Sequence, residues 1–452
     1  MTQNEHPNPA PAAELPAPED VKAAFAERFA RKGAQDALAY LYDLALTSGY
    51  VRTEDIARNI CWTADSPYGP LEITITLSKP EKDPRAIAAA ALPHAEEAHA
   101  TGAGEPQCAI CWENEGWPGS EAFPAKPLLR IAPITLGGEE WGLQYSPYAY
   151  FQEHCIALSR EHRPMKVDAA ALERLLDFVE QFPCYFMGSN ADLPIVGGSI
   201  LSHDHFQGGR HEFPLMKAPV RQDFQMPAFP AVRCGVVDWP ASVVRLKSAD
   251  RQQILAAATA VLEAWRGFAC PEEGILPFAE DGTSHSAVTP IARKLESGAY
   301  VFDLVLRNNR TTAERPWGLF HPREELHHIK KENIGLIEIM GMAILPPRLA
   351  RSLPGVQQLL YVASQGKFTE QGLLCSLGAN AHTEPHALWA MDVFARRKAD
   401  ILAEPLPPAG LTQVMQEEVG RVFVQVLEDT AVFKPNSAGW NKFLSHLVFK
   451  TR

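Results

Sequence analysis

The chain has 452 residues, of which 46% are hydrophobic, 9% aromatic and 21% charged, close to the average for soluble globular proteins. Its 42 Lys and Arg stand against 54 Asp and Glu, a formal net charge of −12, which argues against a protein that binds nucleic acid or an anionic membrane. No apolar run approaches the roughly 18–20 residues of a membrane span, and the first residues do not resemble a signal peptide. We therefore expect a cytoplasmic protein.

The first part of the chain alternates between predicted helices and strands. Five prolines within residues 1–19 predict a disordered leader. Apolar residues at helical spacing predict helices over 34–46 and 167–182, the second with Asp168 as its N-cap. The predicted strands of this part are 71–78, two within 127–144 around a Gly-Gly turn, 154–159 and 199–207.

A second run of similar elements begins after residue 219, and we therefore divide the ordered chain into halves over 20–219 and 220–452. The elements predicted in the second half are strands at 234–239 and 242–247, a hairpin within 291–306, and helices over 249–266, 347–363 and 412–427. Because strands and helices mix without a regular βαβ order, the pattern predicts an α+β fold.

The densest group of reactive side chains lies in the segment 197–211, where two Gly pairs flank a polar row. If this segment is a strand, His203, His205 and Gln207 share one face. Three interpretations stay open: a surface strand, a pair of metal ligands, or one imidazole acting as a nucleophile. In the third, Gln207 would donate to a phosphoryl oxygen.

The eight cysteines are too sparse for a disulfide scaffold, and only Cys108 and Cys111 are close in sequence. Loop residues follow this Cys-x-x-Cys pair, which favours a metal site over thiol–disulfide chemistry. A tetrahedral zinc site needs two more ligands, for which His154 and His203 are the candidates. The alternative is a pair of buried thiols.

The segment 203–207, His-Asp-His-Phe-Gln, resembles the His-Pro-His-Gly-Gln motif of the galactose-1-phosphate uridylyltransferase family, part of the histidine-triad superfamily. The whole of 197–211 is similar to the second type of that family, the UDP-glucose–hexose-1-phosphate uridylyltransferases. Asp204 and Phe206 depart from the motif. The resemblance extends from about residue 38 almost to the C-terminus, through the segments 50–53, 71–74, 78–84, 144–151, 307–312, 330–336 and 424–429.

The resemblance implies a nucleotidyltransferase with two histidine-triad-like halves, each a largely antiparallel sheet flanked by helices. The first half would hold the catalytic strand and the zinc site, and the second would bind substrate. His205 would attack the α-phosphorus of UDP-glucose and release glucose 1-phosphate. Galactose 1-phosphate would then accept the uridylyl group and leave as UDP-galactose. Gln207 would hold phosphate oxygens in both steps.

By the same resemblance, Cys108, Cys111, His154 and His203 match the structural zinc ligands of the first type, and a homodimer is expected. Further residues are candidates for substrate binding, the first three beside the nucleotide phosphates and the rest beside the hexose phosphate: Asn190, Gly198, Ser199, Arg307, Arg310, Lys330 and Lys331. The alternatives are another histidine-triad nucleotidyltransferase or phosphorylase, and a non-catalytic protein that binds sugar nucleotides.

Overall fold

The computed structural model describes residues 15–77, 104–121, 123–198 and 200–451. Most of the predicted leader, residues 1–14, and the predicted substrate residue Ser199 lie outside these ranges. The first helix begins at Pro18, so the last two residues assigned to the leader belong to a helix instead. None of the helices within the described residues is long and apolar enough to cross a membrane.

The described α-helices are α1 (Pro18–Lys32), α2 (Ala34–Thr47), α3 (Thr53–Ile56), α4 (Ala169–Gln181), α5 (Pro214–Lys217), α6 (Arg251–Arg266), α7 (Leu336–Ile339), α8 (Leu349–Ser364), α9 (Glu370–Gly378), α10 (Ala387–Ala403), α11 (Gln413–Asp429) and α12 (Ala438–Lys450). Each of the five helices predicted from sequence is confirmed to within two residues at either end.

The described strands are β1 (Ile60–Ala64), β2 (Leu71–Ile75), β3 (Ala132–Leu136), β4 (Glu139–Tyr145), β5 (Cys155–Ser159), β6 (Phe186–Gly188), β7 (His205–Gly209), β8 (Val220–Phe224), β9 (Arg233–Val237), β10 (Val243–Ser248), β11 (Ser286–Lys294), β12 (Tyr300–Asn308) and β13 (Met342–Leu345). The hairpin predicted within 291–306 is the pair β11–β12. The strand predicted at 199–207 starts later, at His205, because the chain bends at Ser202 and His203.

Ten of the described strands form one sheet in the order β3-β4-β5-β7-β6-β11-β12-β10-β9-β8. All neighbours in it are antiparallel. Each half of the chain contributes five strands, and the order within the first half is mirrored in the second. A helix, α4 or α6, separates the third and fourth strand of each half. The protein is therefore an α+β protein built from two similar halves.

The two halves share hydrogen bonds and do not fold as separate sheets. Strand β6 of the first half pairs with β11 of the second in the centre of the large sheet. A three-stranded sheet, β1-β2-β13, joins them again, since β2 pairs in parallel with β13. The boundary drawn at residue 219 falls in the short connection between α5 and β8.

Side chains alternate between the two faces of the large sheet along each strand, and a separate hydrophobic core lies on each face. On β12, Phe302, Leu304 and Leu306 pack into the first core, formed with helices α1, α2, α4, α6 and α12. Val305 packs into the second core, formed with the small sheet and helices α7, α8 and α11. Burying each large aliphatic side chain contributes about 1.5–3 kcal/mol, so both faces are strongly determined.

Helix α4 shows how local sequence builds the first core. The carboxylate of Asp168 accepts a hydrogen bond from the backbone N–H of Ala171 at 3.1 Å and so caps the helix, as predicted. The stripe of apolar residues that follows is fully buried: Leu172, Leu175, Leu176 and Val179.

Candidate active site

Strand β7 presents His205 and Gln207 on one face and Phe206 on the other. Phe206 is buried in the first core, where its ring stacks on Trp141 with centroids 4.9 Å apart and an angle of 4°. His205 and Gln207 therefore turn to the opposite face of the sheet, where both line a cavity of about 300 Å³. The predicted sharing of one face holds for these two residues.

His205 is arranged as a neutral base with one basic nitrogen. Its Nδ1 lies 2.8 Å from the backbone oxygen of His203, and a carbonyl can only accept, so Nδ1 carries the proton. The lone pair is then on Nε2. Burial lowers the pKa of His205 to about 4, so the ring is uncharged near neutral pH. A neutral imidazole of this kind can act as a nucleophile.

The cavity lies between β7 and the segment 330–344 of the second half. Its wall combines aromatic and aliphatic side chains with polar and charged groups in similar number. In small-molecule sites the polar groups fix the orientation of the ligand. The apolar wall comprises Ile110, Tyr148, Tyr150, Ile156, Ile200, Leu336, Ile337 and Ile344. The polar and glycine positions are Ser146, His154, Asn190, Gly197, Gly198, His205, Gln207, Lys330, Glu332, Asn333, Gly335 and Glu338.

Four potential metal ligands meet at one end of β7: Cys108, Cys111, His162 and His203. Their ligand atoms all lie within 4.8 Å of one another. Cys108 Sγ is 3.2 Å from Cys111 Sγ and 3.3 Å from His203 Nδ1. Two thiols and two imidazoles are a common tetrahedral zinc set, whose ligand atoms lie about 3.3–3.8 Å apart. The residues therefore fit a zinc ion.

Local contacts prepare these groups to hold a metal. The side-chain amide of Asn114 donates to the backbone oxygens of Cys108 and Cys111, at 2.8 and 3.0 Å. The Nε2 of His203 lies 3.0 Å from the backbone oxygen of Ser159, which leaves Nδ1 beside the sulfurs. A hydrogen bond from the Cys108 thiol lowers the pKa of Cys111, which favours its thiolate, the form that binds metal.

His154, the fourth zinc ligand predicted from sequence, does not join this cluster, and His162 takes the place. The register of the antiparallel pair β5–β7 gives the reason, since Leu158 faces His205 and Ile156 faces Gln207. Residues that follow the end of β5 therefore approach His203, which precedes β7. His154 directly precedes the start of β5 and so lies toward the C-terminal end of β7. His154 Nε2 is instead 3.2 Å from Gln207 Oε1.

Asn190 and Gly198, both predicted to bind substrate phosphates, line the cavity together. Asn190 Oδ1 accepts a hydrogen bond of 2.8 Å from the backbone N–H of Leu336. A Cβ atom at Gly198 would lie 2.6 Å from Nδ2 of Asn190, so this close approach requires glycine. The pair places two backbone segments of the first half at the cavity wall.

Among the predicted cationic residues, Lys330 alone lines the cavity, and two carboxylates neutralise it. Its Nζ lies 2.6 Å from Glu338 Oε1 and 3.5 Å from Glu332 Oε2. Burial opposes the charge on Lys330, but the two carboxylates outweigh burial and raise its pKa. These acidic neighbours were not foreseen from the sequence, although both follow Lys330 within eight residues.

The other predicted cations stand apart from the cavity. Lys331 is exposed, and Arg310 donates to the backbone oxygen of Gly274 at 2.8 Å. Arg307 is 1% exposed, and its Nη2 donates to the backbone oxygen of Ile334 at 2.9 Å. Within the described residues its Nε and Nη1 have no hydrogen-bond partner. Burial lowers its pKa to about 10.

Comparison with known proteins places the chain in a family. Residues 3–164 match the family model described as galactose-1-phosphate uridyl transferase, N-terminal domain, and residues 177–359 match that of the C-terminal domain. A galactose-1-phosphate uridylyltransferase from Caldanaerobacter subterraneus subsp. tengcongensis is 43% identical over 443 residues, covering 96% of this chain and 82% of the relative. One from Bacillus subtilis is 44% identical over 429 residues, covering 95% and 79%.

Among solved structures, yeast Ap4A phosphorylase Apa2 is 13% identical and covers 78% of this chain and 93% of its own, with a TM-score of 0.36. A likeness that weak does not bear on the function. The relatives at 43–44% identity do bear on the function. They show that the chain is an enzyme of the nucleotidyltransferase class. More narrowly, it belongs to the galactose-1-phosphate uridylyltransferase family.

Proposed function

We propose that this enzyme transfers a uridylyl group between UDP-glucose and galactose 1-phosphate, through a covalent intermediate on His205. The observation that carries the proposal is the hydrogen bond of 2.8 Å between His205 Nδ1 and the backbone oxygen of His203. It keeps the proton on Nδ1 and leaves Nε2 as the basic nitrogen of a neutral ring at the cavity wall. The relatives' names give galactose 1-phosphate and the transfer of a uridylyl group. UDP-glucose as the donor is part of the proposal.

In the first step the Nε2 lone pair of His205 attacks the α-phosphorus of UDP-glucose. The N–P bond forms, and the bond from that phosphorus to the bridging oxygen breaks. The bridging oxygen leaves as part of glucose 1-phosphate. The ring becomes positively charged as the bond forms, and the carbonyl of His203 accepts from its Nδ1–H throughout. The amide of Gln207 donates to a non-bridging phosphate oxygen.

In the second step a phosphate oxygen of galactose 1-phosphate attacks the same phosphorus. The P–N bond breaks, the electron pair returns to Nε2 of His205, and UDP-galactose leaves. One cavity serves both steps because the leaving group and the incoming nucleophile are both hexose 1-phosphates. Asn190 and Gly198, at the wall with His205, are proposed to contact the nucleotide phosphates, together with Ser199.

We also propose that Cys108, Cys111, His162 and His203 hold a structural zinc ion. When bound, zinc would supply a cross-link between the Cys-x-x-Cys loop and the start of the catalytic strand. His203 stands two residues before His205, and its backbone oxygen holds the nucleophile's Nδ1–H. The ligand set would therefore fix the position of His205 by fixing the carbonyl that orients it.

For the hexose phosphate, Lys330 is the predicted cation that lies at the cavity. We propose that a bound phosphate competes with Glu332 and Glu338 for its ammonium group. Lys331, Arg307 and Arg310 do not line the cavity, and their role in substrate binding stays a prediction, as does the homodimer.

Isotope exchange tests the proposal. A covalent intermediate predicts that labelled glucose 1-phosphate enters UDP-glucose without any galactose 1-phosphate, and that His205→Ala abolishes this exchange. A matched control is His211→Gln, a change at another histidine close to β7 that does not line the cavity and should retain exchange. Exchange that requires galactose 1-phosphate would contradict a two-step transfer.

A further inference from the structure

The side chain of His154 is joined to that of Gln207 at the cavity wall, with 3.2 Å between His154 Nε2 and Gln207 Oε1. We propose that His154 is a positioning residue that orients the amide of Gln207 for phosphate binding. This inference rests on the proposed function. It assigns to His154 a task that is different from metal binding, for which His162 rather than His154 lies with the other candidate ligands.

The chemistry of the amide explains why its orientation matters. A glutamine has one oxygen that accepts hydrogen bonds and one NH2 group that donates them. If Nε2–H of His154 donates to Oε1 of Gln207, the NH2 group remains for the ligand, and it can donate to an anionic phosphoryl oxygen. A flipped amide would bring its oxygen toward the negative phosphate, which is repulsive.

The ring of His154 is held firmly enough to impose this orientation. It is 3% exposed, and its centroid lies 4.6 Å from that of Phe151 and 5.6 Å from that of Tyr150. Both backbone polar groups of His154 are hydrogen-bonded. The backbone N–H of Ser146 donates to the backbone oxygen of His154 at 2.8 Å, and the N–H of His154 donates to the backbone oxygen of Phe151 at 3.3 Å. The imidazole therefore has little freedom to leave Gln207.

The preceding residue, Glu153, adds a second constraint. Its φ is +56°, in the left-handed region that residues other than glycine rarely adopt. Its carboxylate is bound by the hydroxyl of Tyr185 and lies 2.9 Å from Nε of Arg210, which follows β7. These contacts hold the unusual backbone conformation and tie the turn that carries His154 to the strand that carries Gln207.

The tautomer of His154 tests the geometry in the resting enzyme, without substrate. Nitrogen-15 NMR of histidine-labelled protein at about pH 8 distinguishes a proton on Nε2 from one on Nδ1. The proposal predicts that His154 is the Nε2–H tautomer, with its signal identified by its loss in His154→Phe. A proton on Nδ1 would leave Nε2 without a hydrogen to donate and would overturn the proposal.

A double-mutant cycle tests the function of the contact. Single-turnover release of glucose 1-phosphate should fall about tenfold to a hundredfold in His154→Phe and by a similar factor in Gln207→Ala. In the Gln207→Ala background, His154→Phe should change the rate by less than about threefold, since the two residues act as one unit. His154→Gln, which keeps a donor N–H, should recover part of the lost rate.

The control is His211→Phe, the same change at a histidine whose ring also packs on Phe151, with centroids 5.6 Å apart, but which does not line the cavity. It should stay within about twofold of the wild-type rate. Two results would overturn the role of His154. One is a rate in the double variant that falls by the product of the two single-variant factors, and the other is a wild-type rate in His154→Phe. A wild type that releases no glucose 1-phosphate would instead show that the proposed function itself is wrong.

Discussion

The side-chain oxygen of Asn190 accepts a hydrogen bond from the backbone N–H of Leu336, 2.8 Å away, and so joins the two halves of the chain at the cavity wall. Both residues are buried. The two halves therefore meet at the site through a specific polar contact as well as through the continuous sheet.

Removing that contact should cost stability. Asn190→Ala leaves the buried N–H of Leu336 without its partner, and we expect the free energy of unfolding to fall by about 1–3 kcal/mol in urea denaturation. The matched control is Asn380→Ala, in an exposed turn where the side chain accepts from His382 N at 2.8 Å. It should change stability by less than about 0.5 kcal/mol. An equal fall in the free energy of unfolding in both variants would show that the hydrogen bond between the halves stabilises the protein no more than an exposed one.

Metal content should separate the two histidines that compete for the fourth ligand position. His162→Ala should purify with much less zinc than the wild type and with a lower melting temperature, because a site of three ligands binds the ion more weakly. His154→Ala should keep the wild-type zinc content, measured by plasma mass spectrometry on the same preparations. Loss of zinc from His154→Ala alone would reverse the assignment made from the register of β5 and β7.

A pair of neighbouring histidines, one half-buried (His328) and one buried (His386), should make the fold sensitive to acid. His328 Nδ1 lies 2.9 Å from His386 Nδ1, and His386 Nε2 lies 2.9 Å from Ser352 Oγ. Burial, with the nearby positive charge of Arg348 and the neighbouring histidine, lowers the pKa of His328 to about 3. Burial and Arg348 lower that of His386 to about 4.

The sign of this effect follows from where the protons bind. Below an ordinary histidine pKa of about 6.5 the unfolded chain binds protons that the folded pair does not bind. The contribution to stability is therefore fully present above about pH 6.5 and is lost between about pH 6.5 and 3. Each such group contributes a slope of up to about 1.4 kcal/mol per pH unit. His328→Gln should reduce the slope of unfolding free energy against pH, whereas His382→Gln, at an exposed position, should keep it. An unchanged slope in His328→Gln would contradict this account.

The pair of Lys330 and Glu338 offers a test that separates structure from substrate binding. Lys330→Met leaves the carboxylate of Glu338 buried without its closest cation, and we expect a loss of about 3–5 kcal/mol in unfolding free energy. The double change Lys330→Met with Glu338→Leu removes both charges and should recover most of that stability.

The double variant, if its stability is restored, then tests whether Lys330 contributes to binding of galactose 1-phosphate. If Lys330 meets the hexose phosphate, the double variant should be stable but have a raised KM for galactose 1-phosphate. A wild-type KM in the stable double variant would show that Lys330 serves the fold alone.

Elements with strong local periodicity could be predicted from the sequence, and elements defined by distant partners could not. Helix α4 has both its N-cap Asp168 and its apolar stripe within a short segment. Strand β13 was not predicted, because its place is set by parallel pairing of Met342 with Glu72, far apart in the chain. Periodicity reports the burial of one face and carries no information on which strand lies beside it.

The same distinction holds within the site. His205 and Gln207 share a face because side chains alternate along any strand, and this could be inferred from their spacing alone. The neighbour of His203 depends on the register of β5 against β7, which brings in His162 and leaves His154 beside Gln207. Long sequence gaps between ligands make such a choice impossible from spacing.

The most direct test of the account is the mass of the intact protein after exposure to UDP-glucose without acceptor. A covalent intermediate on His205 predicts an added uridylyl group on the wild type, located on His205 by peptide mapping and absent in His205→Ala. Galactose 1-phosphate should remove this group with formation of UDP-galactose. An unmodified wild type that still converts galactose 1-phosphate to UDP-galactose, or an adduct that persists in His205→Ala, would contradict this intermediate.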